Sequence, residues 1–232
     1  MEYSLERLWL EVGKRSRAAV PSFSDLSAKA ACLGTLSNTR ETNEQKHSSP
    51  DDCERTVELA YQYQELVDTD EQTLGALPIE RSPEAYRAAL RGLEERADWA
   101  GLVAPDSRRV RLEGVNCHGL VHKILCNGDN PPKPSIVSTE SPPEIGVWQP
   151  DAVRAVAAAK ALAHERDRTV PWAIVEYPAA GVVRDVRLTA RRKVTYRRVL
   201  RAIQATETAT GKPDEGESGE SDRQPVSRPQ RE

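Results

Sequence analysis

Residues 82–112, SPEAYRAALRGLEERADWAGLVAPDSRRVRL, hold the clearest structural signals in the chain. Ser82 ahead of Pro83 and Glu84 is a helix start: a hydroxyl to cap an unbonded first-turn N–H, a proline at the first helical position, and an acid facing the positive end of the dipole. Tyr86, Ala89, Leu90, Leu93 and Ala97 follow at offsets 0, 3, 4, 7 and 11, the apolar face of an amphipathic helix. Its outer face presents Arg87, Arg91, Glu94 and Glu95. Beyond Gly101, Leu102-Val103, then Ala104-Pro105-Asp106-Ser107, then Arg108 to Leu112 read as strand, turn, strand, with Val110 and Leu112 alternating against Arg109 and Arg111.

Upstream, Ser49-Pro50-Asp51-Asp52 repeats the start signal, and the stripe Val57, Ala60, Tyr61 and Val67 predicts a helix over 50–67. Asp70 to Leu77 forms a further two turns, stopped by Pro78. The order is α-α-α-β-β. With Leu90, Leu93 and Glu94 in the third helix, Gly101-Leu102-Val103 after it, and a basic returning strand from Arg108 to Leu112, residues 53–114 resemble the winged helix-turn-helix superfamily. Six residues separate Glu94 from Gly101, so the helix is extended or a turn is inserted. The resemblance implies a third helix in the DNA major groove and a wing against the backbone, with Arg87 and Arg91 at base edges or phosphates and Arg108, Arg109 and Arg111 at phosphates.

The remaining chain divides by composition. Region 1–36 carries an amphipathic helix over 4–17, from Leu5, Leu8, Trp9 and Val12; 37–49 is a polar loop without a large apolar residue; 50–126 is the winged-helix-like unit. A Pro/Ser-rich linker over 127–150 leads to a basic α-β-β-α unit, 151–206. In it an alanine-rich helix runs from Asp151 to Arg166, strands cover 170–177 and 182–192 about the turn Pro178-Ala179-Ala180-Gly181, and a last helix starts at Thr195. Residues 207–232 form a disordered tail, with Val226 the only large aliphatic after Gly211. The expected class is α+β: a mainly helical N-terminal unit of winged-helix type, then the small α-β-β-α unit and the tail.

The net charge of -3 over 232 residues is a cancellation. Residues 1–80 balance at -7, and residues 151–206 at +7. Within 184–201 stand Arg184, Arg187, Arg191, Arg192, Lys193, Arg197, Arg198 and Arg201 against a single acid, Asp185. Exposed, such a cluster attracts a polyanion; folded against the acidic first third, it neutralises itself.

Cys117-His118-Gly-Leu-Val-His122-Lys-Ile-Leu-Cys126 packs four zinc-type ligands, Cys117, His118, His122 and Cys126, into ten residues. The usual two-ligand knuckle is missing, so the competing reading is an ordinary strand or helix with free thiols, and no metal or cofactor is expected. Glu176 and Asp185 on the second strand pair resemble part of a metal-dependent nuclease site, but the Glu-x-Lys such a site needs is absent, and no other catalytic spacing occurs. No run approaches a membrane span, and Glu2, Glu6 and Glu11 argue against a signal peptide. The expectation is a cytoplasmic, non-catalytic nucleic-acid-binding protein, a DNA-binding regulator or mobile-element accessory factor; the alternative is an assembly or adaptor protein whose basic lobe docks on an acidic protein surface or on a second copy in a homo-oligomer.

Overall fold

Residues 172–177, WAIVEY, send Ala173, Val175 and Tyr177 to one side and Ile174 and Glu176 to the other, and all five are buried. A strand with both faces covered lies inside a sheet with a layer on each side. The computed structural model describes residues 20–35, 50–126, 128 and 130–210. The helix expected over 4–17, the polar loop 37–49 and the tail from Gly211 on fall outside the described residues, while residues 207–210, expected as the start of the tail, instead end the last helix.

The chain runs through α1 (Phe23–Thr35), α2 (Pro50–Leu59), α3 (Tyr63–Asp68), α4 (Glu71–Gly75), α5 (Pro83–Glu94), α6 (Trp99–Val103), β1 (Ser107–Glu113), β2 (His118–Leu125), β3 (Lys133–Val137), α7 (Gln149–Glu165), β4 (Trp172–Tyr177), a 3-10 turn (Pro178–Ala180), β5 (Val182–Arg187) and α8 (Ala190–Thr210). The architecture is α+β, with a five-stranded mixed sheet in the order β1-β2-β3-β4-β5. The first three strands form an antiparallel meander, β3 and β4 are parallel, and β5 returns antiparallel to β4. A parallel neighbour requires a long crossover, which α7 supplies.

One sheet face carries α1, α7 and α8, where Leu26, Val156, Tyr196 and Val199 join Ile136, Ala173, Val175 and Val186 in one apolar cluster. Helix α7 buries Ala155, Ala157, Ala158, Ala159 and Ala161, because small side chains let it approach the sheet and both flanking helices. The other face carries α2 to α6, where Leu59, Leu66, Tyr86, Leu90 and Leu102 meet Leu125, Val137, Ile174 and Val183. Between this layer and the sheet, the fully buried Lys123 Nζ donates to Glu176 Oε2 at 2.8 Å and to the carbonyls of Ala60 and Leu102 at 2.5 and 2.9 Å. Ser135 Oγ donates to the other Glu176 oxygen at 2.5 Å, so the two buried charges, on β2 and β4, are paired with each other and hydrogen-bonded, the latter also to the strand between them.

Several helix starts behave as their residues dictate. Ser82 Oγ accepts from the Ala85 N–H, and an Asp70 carboxylate oxygen accepts from the Thr73 N–H. The turn at 178–181 closes on Gly181 at φ +64, a left-handed conformation that suits glycine.

Other expectations change. The predicted helix 50–67 is two helices, broken at Ala60 to Gln62. Leu102-Val103, expected as a strand, closes the short helix α6: the Leu102 side chain is fully buried, and its carbonyl accepts from Lys123. The hairpin partner of the basic strand is therefore β2, through the turn at 114–117. Residues 133–137, inside the expected linker, form β3, which pairs with both β2 and β4. The same sheet thus runs through both regions that composition had separated. The second strand of the basic region ends at Arg187 and α8 begins at Ala190, so Arg191 and Arg192 are helical.

Candidate nucleic-acid interface

The five arginines expected on the recognition helix and wing have different fates. Arg87 donates to the Thr69 carbonyl at 2.7 Å and lies 3.6 Å from Glu71, fastening α5 to the start of α4. Arg108 and Arg109 stack over the Tyr61 ring, at 5.4 and 5.7 Å from its centroid, and Arg109 pairs with Glu58. Arg111 is exposed, with Glu113 at 4.0 Å. Arg91 is exposed on the outer face of α5. Arg91, Arg108, Arg109 and Arg111 are all exposed, but Arg108 and Arg109 are held against Tyr61, which leaves Arg91 and Arg111 the less engaged of the five.

Three described acids of the first third find partners away from α8: Glu58 pairs with Arg109, Glu71 with Arg87 and Asp52 with Arg55. Among the described residues, no carboxylate pairs with Arg187, Arg191, Arg192, Lys193, Arg197, Arg198 or Arg201. The one acid of that segment, Asp185, faces Arg96 and Lys133 instead.

Alternation along β5 divides the cluster. Arg184 lies on the same side as buried Val186, packed over α7, and donates to the Glu144 carbonyl at 3.4 Å. Arg187 points to the opposite face, 5.6 Å from the centroid of its cross-strand partner Trp172. Alternation therefore separates Arg184 from Arg187, and it is the Arg187 side chain that lies on the sheet face opposite α8.

Helix α8 gathers the rest. Tyr196, Val199 and Leu200 are its buried side. Lys193, Arg197 and Arg201 recur at the four-residue spacing on its solvent side, and Arg191 and Arg198, seven apart, run beside them. Its first turn holds Arg191, Arg192 and Lys193 and no acid. An Arg192 Nη1–H donates to the Arg187 backbone carbonyl at 3.0 Å, which ties the start of α8 to the end of β5, at the edge of the sheet beyond which the Arg187 and Trp172 side chains lie on the other face.

Next to Trp172 opens a cleft of about 540 Å³, walled by Leu125, Pro131, Pro132, Pro171 and the indole. Four charges form its polar side. Arg96 donates to Asp98 at 2.9 Å and to Asp185 at 2.8 Å, while Lys133 lies 3.0 Å from Asp98 and 3.6 Å from Asp185. Burial works against ionised Asp98, but hydrogen bonds from Arg96 and Lys133 outweigh it and hold the carboxyl below its usual range. Sequence reading named none of Arg96, Asp98, Lys133 or Trp172. Arg96 and Asp98 share the short connection between α5 and α6, and Lys133 opens β3, so no spacing links all three; for Trp172 the available signal was a bulky aromatic directly after Pro171 at the mouth of a strand.

The four possible zinc ligands do not meet. Strand β2 extends from His118 to Leu125, leaving Cys117 and Cys126 at opposite ends, about 30 Å apart at 3.3 Å per residue. Buried Cys117 Sγ faces the Ala157 carbonyl at 3.7 Å. His122 Nδ1 accepts the Val137 N–H at 3.0 Å in place of a ladder carbonyl. Burial, aided by Arg154, Lys123 and Arg109, pushes its pKa down to about 4, so the ring is a neutral acceptor inside the fold. No group of three or more His, Cys, Asp or Glu able to hold a metal occurs among the described residues, and no described helix is long and apolar enough to cross a membrane.

No protein-family model matches the chain, and no curated protein matches it.

Proposed function

We propose that the protein binds nucleic acid without catalysis, through phosphate contacts from the exposed cations of α8, as a DNA-binding regulator or accessory factor. The observation that carries this reading is the row Lys193, Arg197 and Arg201 with Arg191 and Arg198 beside it, exposed and without a carboxylate partner among the described residues. Such a helix is poorly arranged for its own stability. Like charges four residues apart repel, and cations in the first turn oppose the dipole. A string of phosphates converts both costs into attraction, and counterions released from the nucleic acid add to the gain.

This contact is largely independent of sequence, since it reads phosphates and not base edges. The winged-helix reading of 53–114 adds Arg91 and Arg111 as secondary contacts.

A mobility-shift titration of a 30-base-pair duplex at near-physiological salt tests the proposal. Binding in the micromolar range or tighter is expected, weakened alike for unrelated sequences when Arg191, Arg197, Arg198 and Arg201 are replaced by alanine. No shift at micromolar protein contradicts the proposal and leaves an acidic protein surface as the partner of these cations. Loss of binding on Arg91→Ala and Arg111→Ala, with the α8 set neutral, moves recognition to the helix-turn-helix.

A further inference from the structure

The cleft beside Trp172 has a distribution of charge that α8 lacks. Its polar side holds two cations, Arg96 and Lys133, and two anions, Asp98 and Asp185, all within 3.6 Å of a partner, so the floor is neutral overall. Its rim is cationic: Arg187 stacks on Trp172, and Arg192 of α8 is tied to the Arg187 backbone. Trp172 itself is 37% exposed, although it opens a strand whose other residues are buried.

These features select among ligands. A phosphate on the floor would meet two carboxylates, whereas at the rim it meets only guanidinium groups. A purely apolar group would strip water from four charges and give nothing back. A planar group with a π-face and an edge of mixed donors and acceptors satisfies both halves. Its face lies on the indole and the prolines Pro131, Pro132 and Pro171; its amino groups donate to Asp98 or Asp185, and its ring nitrogens or carbonyls accept from Arg96 or Lys133. The volume, about 540 Å³, is in the range of small-molecule sites.

We infer that this cleft takes an unpaired nucleobase of the strand whose phosphates lie on the rim and on α8, and that the protein therefore prefers single-stranded nucleic acid over blunt duplex. The inference rests on the nucleic-acid reading above and specifies the form of the ligand. A base in duplex must be unstacked and unpaired before it can enter, and that cost falls on the duplex alone. Stacking on one aromatic side chain accounts for a factor of about 5 to 150 in affinity.

The test is fluorescence anisotropy with a labelled 20-nucleotide single strand, and with the same sequence as a blunt duplex, on the full chain. The wild type should bind the single strand at least fivefold more tightly than the duplex. Trp172→Ala should abolish that preference while leaving duplex affinity within about twofold, and Trp172→Phe, which keeps an aromatic face, should retain most of it. Equal binding of the two forms by the wild type, or a Trp172→Ala change that weakens both alike, overturns the inference while the α8 reading stands. Binding of neither form removes both.

Discussion

Lys123 Nζ and Glu176 Oε2 lie 2.8 Å apart with neither side chain exposed to solvent. The pair joins β2 to β4 across β3, and the two carbonyls that Lys123 also reaches, from Ala60 and Leu102, belong to the helical layer above. The Tyr63 ring covers the ammonium, its centroid 4.8 Å away. Sheet and helices are thus held in one arrangement by a single cation with three acceptors.

Removing one partner leaves the other charge buried and unpaired. Lys123→Met alone, or Glu176→Leu alone, should cost about 3–5 kcal/mol of unfolding free energy. The double variant should cost clearly less than the two singles together, because no orphan charge remains. Urea denaturation of the four proteins measures this; strict additivity would mean that the pair is not coupled.

His122 makes stability depend on pH. Its folded pKa, about 4, lies below the ordinary value near 6.5. Between those limits the unfolded chain binds a proton that the folded one does not, so stability falls as pH falls from 6.5 toward 4, at a rate approaching about 1.4 kcal/mol per unit for this one group. Above pH 7 its contribution is constant. His122→Gln keeps an acceptor for the Val137 N–H and removes the titration, so its stability profile should be flatter over the same window. Matched slopes for the two proteins would exclude His122 as the source.

How far the sequence could be read follows the range of the interactions involved. Helix α5, the turn at Gly181 and the strand pair β4–β5 were legible, because capping groups, a left-handed glycine and apolar periodicity are local signals. Strand β3 was not: KPSIV is five residues long, contains Pro134 and follows Pro131-Pro132, so it reads as linker until its neighbours bury Pro134 to Val137. Leu102-Val103 went the other way, an apolar pair that suits a strand until Lys123 claims the Leu102 carbonyl. The α8 cations were visible as a cluster, but that Asp52, Glu71 and Glu58 turn to Arg55, Arg87 and Arg109 is a property of the fold. The cleft was invisible, since Arg96, Asp98, Lys133, Trp172 and Asp185 converge only through the sheet.

The first turn of α8 trades stability for charge. Arg191→Glu places an acid in the first turn, where the helix dipole favours one, so it should raise the unfolding free energy by about 0.3–1 kcal/mol at low salt. The same variant should bind duplex DNA more weakly. A drop in thermal midpoint together with unchanged binding would show that Arg191 is there for the fold.

The most direct measurement is the dependence of duplex affinity on salt, for the wild type and for the protein with Arg191, Arg197, Arg198 and Arg201 all changed to alanine. Each phosphate contact contributes about 0.9 to the slope of log K against log salt. If the α8 row is the contact surface, affinity falls at every salt concentration and the slope becomes shallower by about 2 to 4. An identical slope and affinity in the two proteins would contradict the assignment of nucleic-acid binding to this helix.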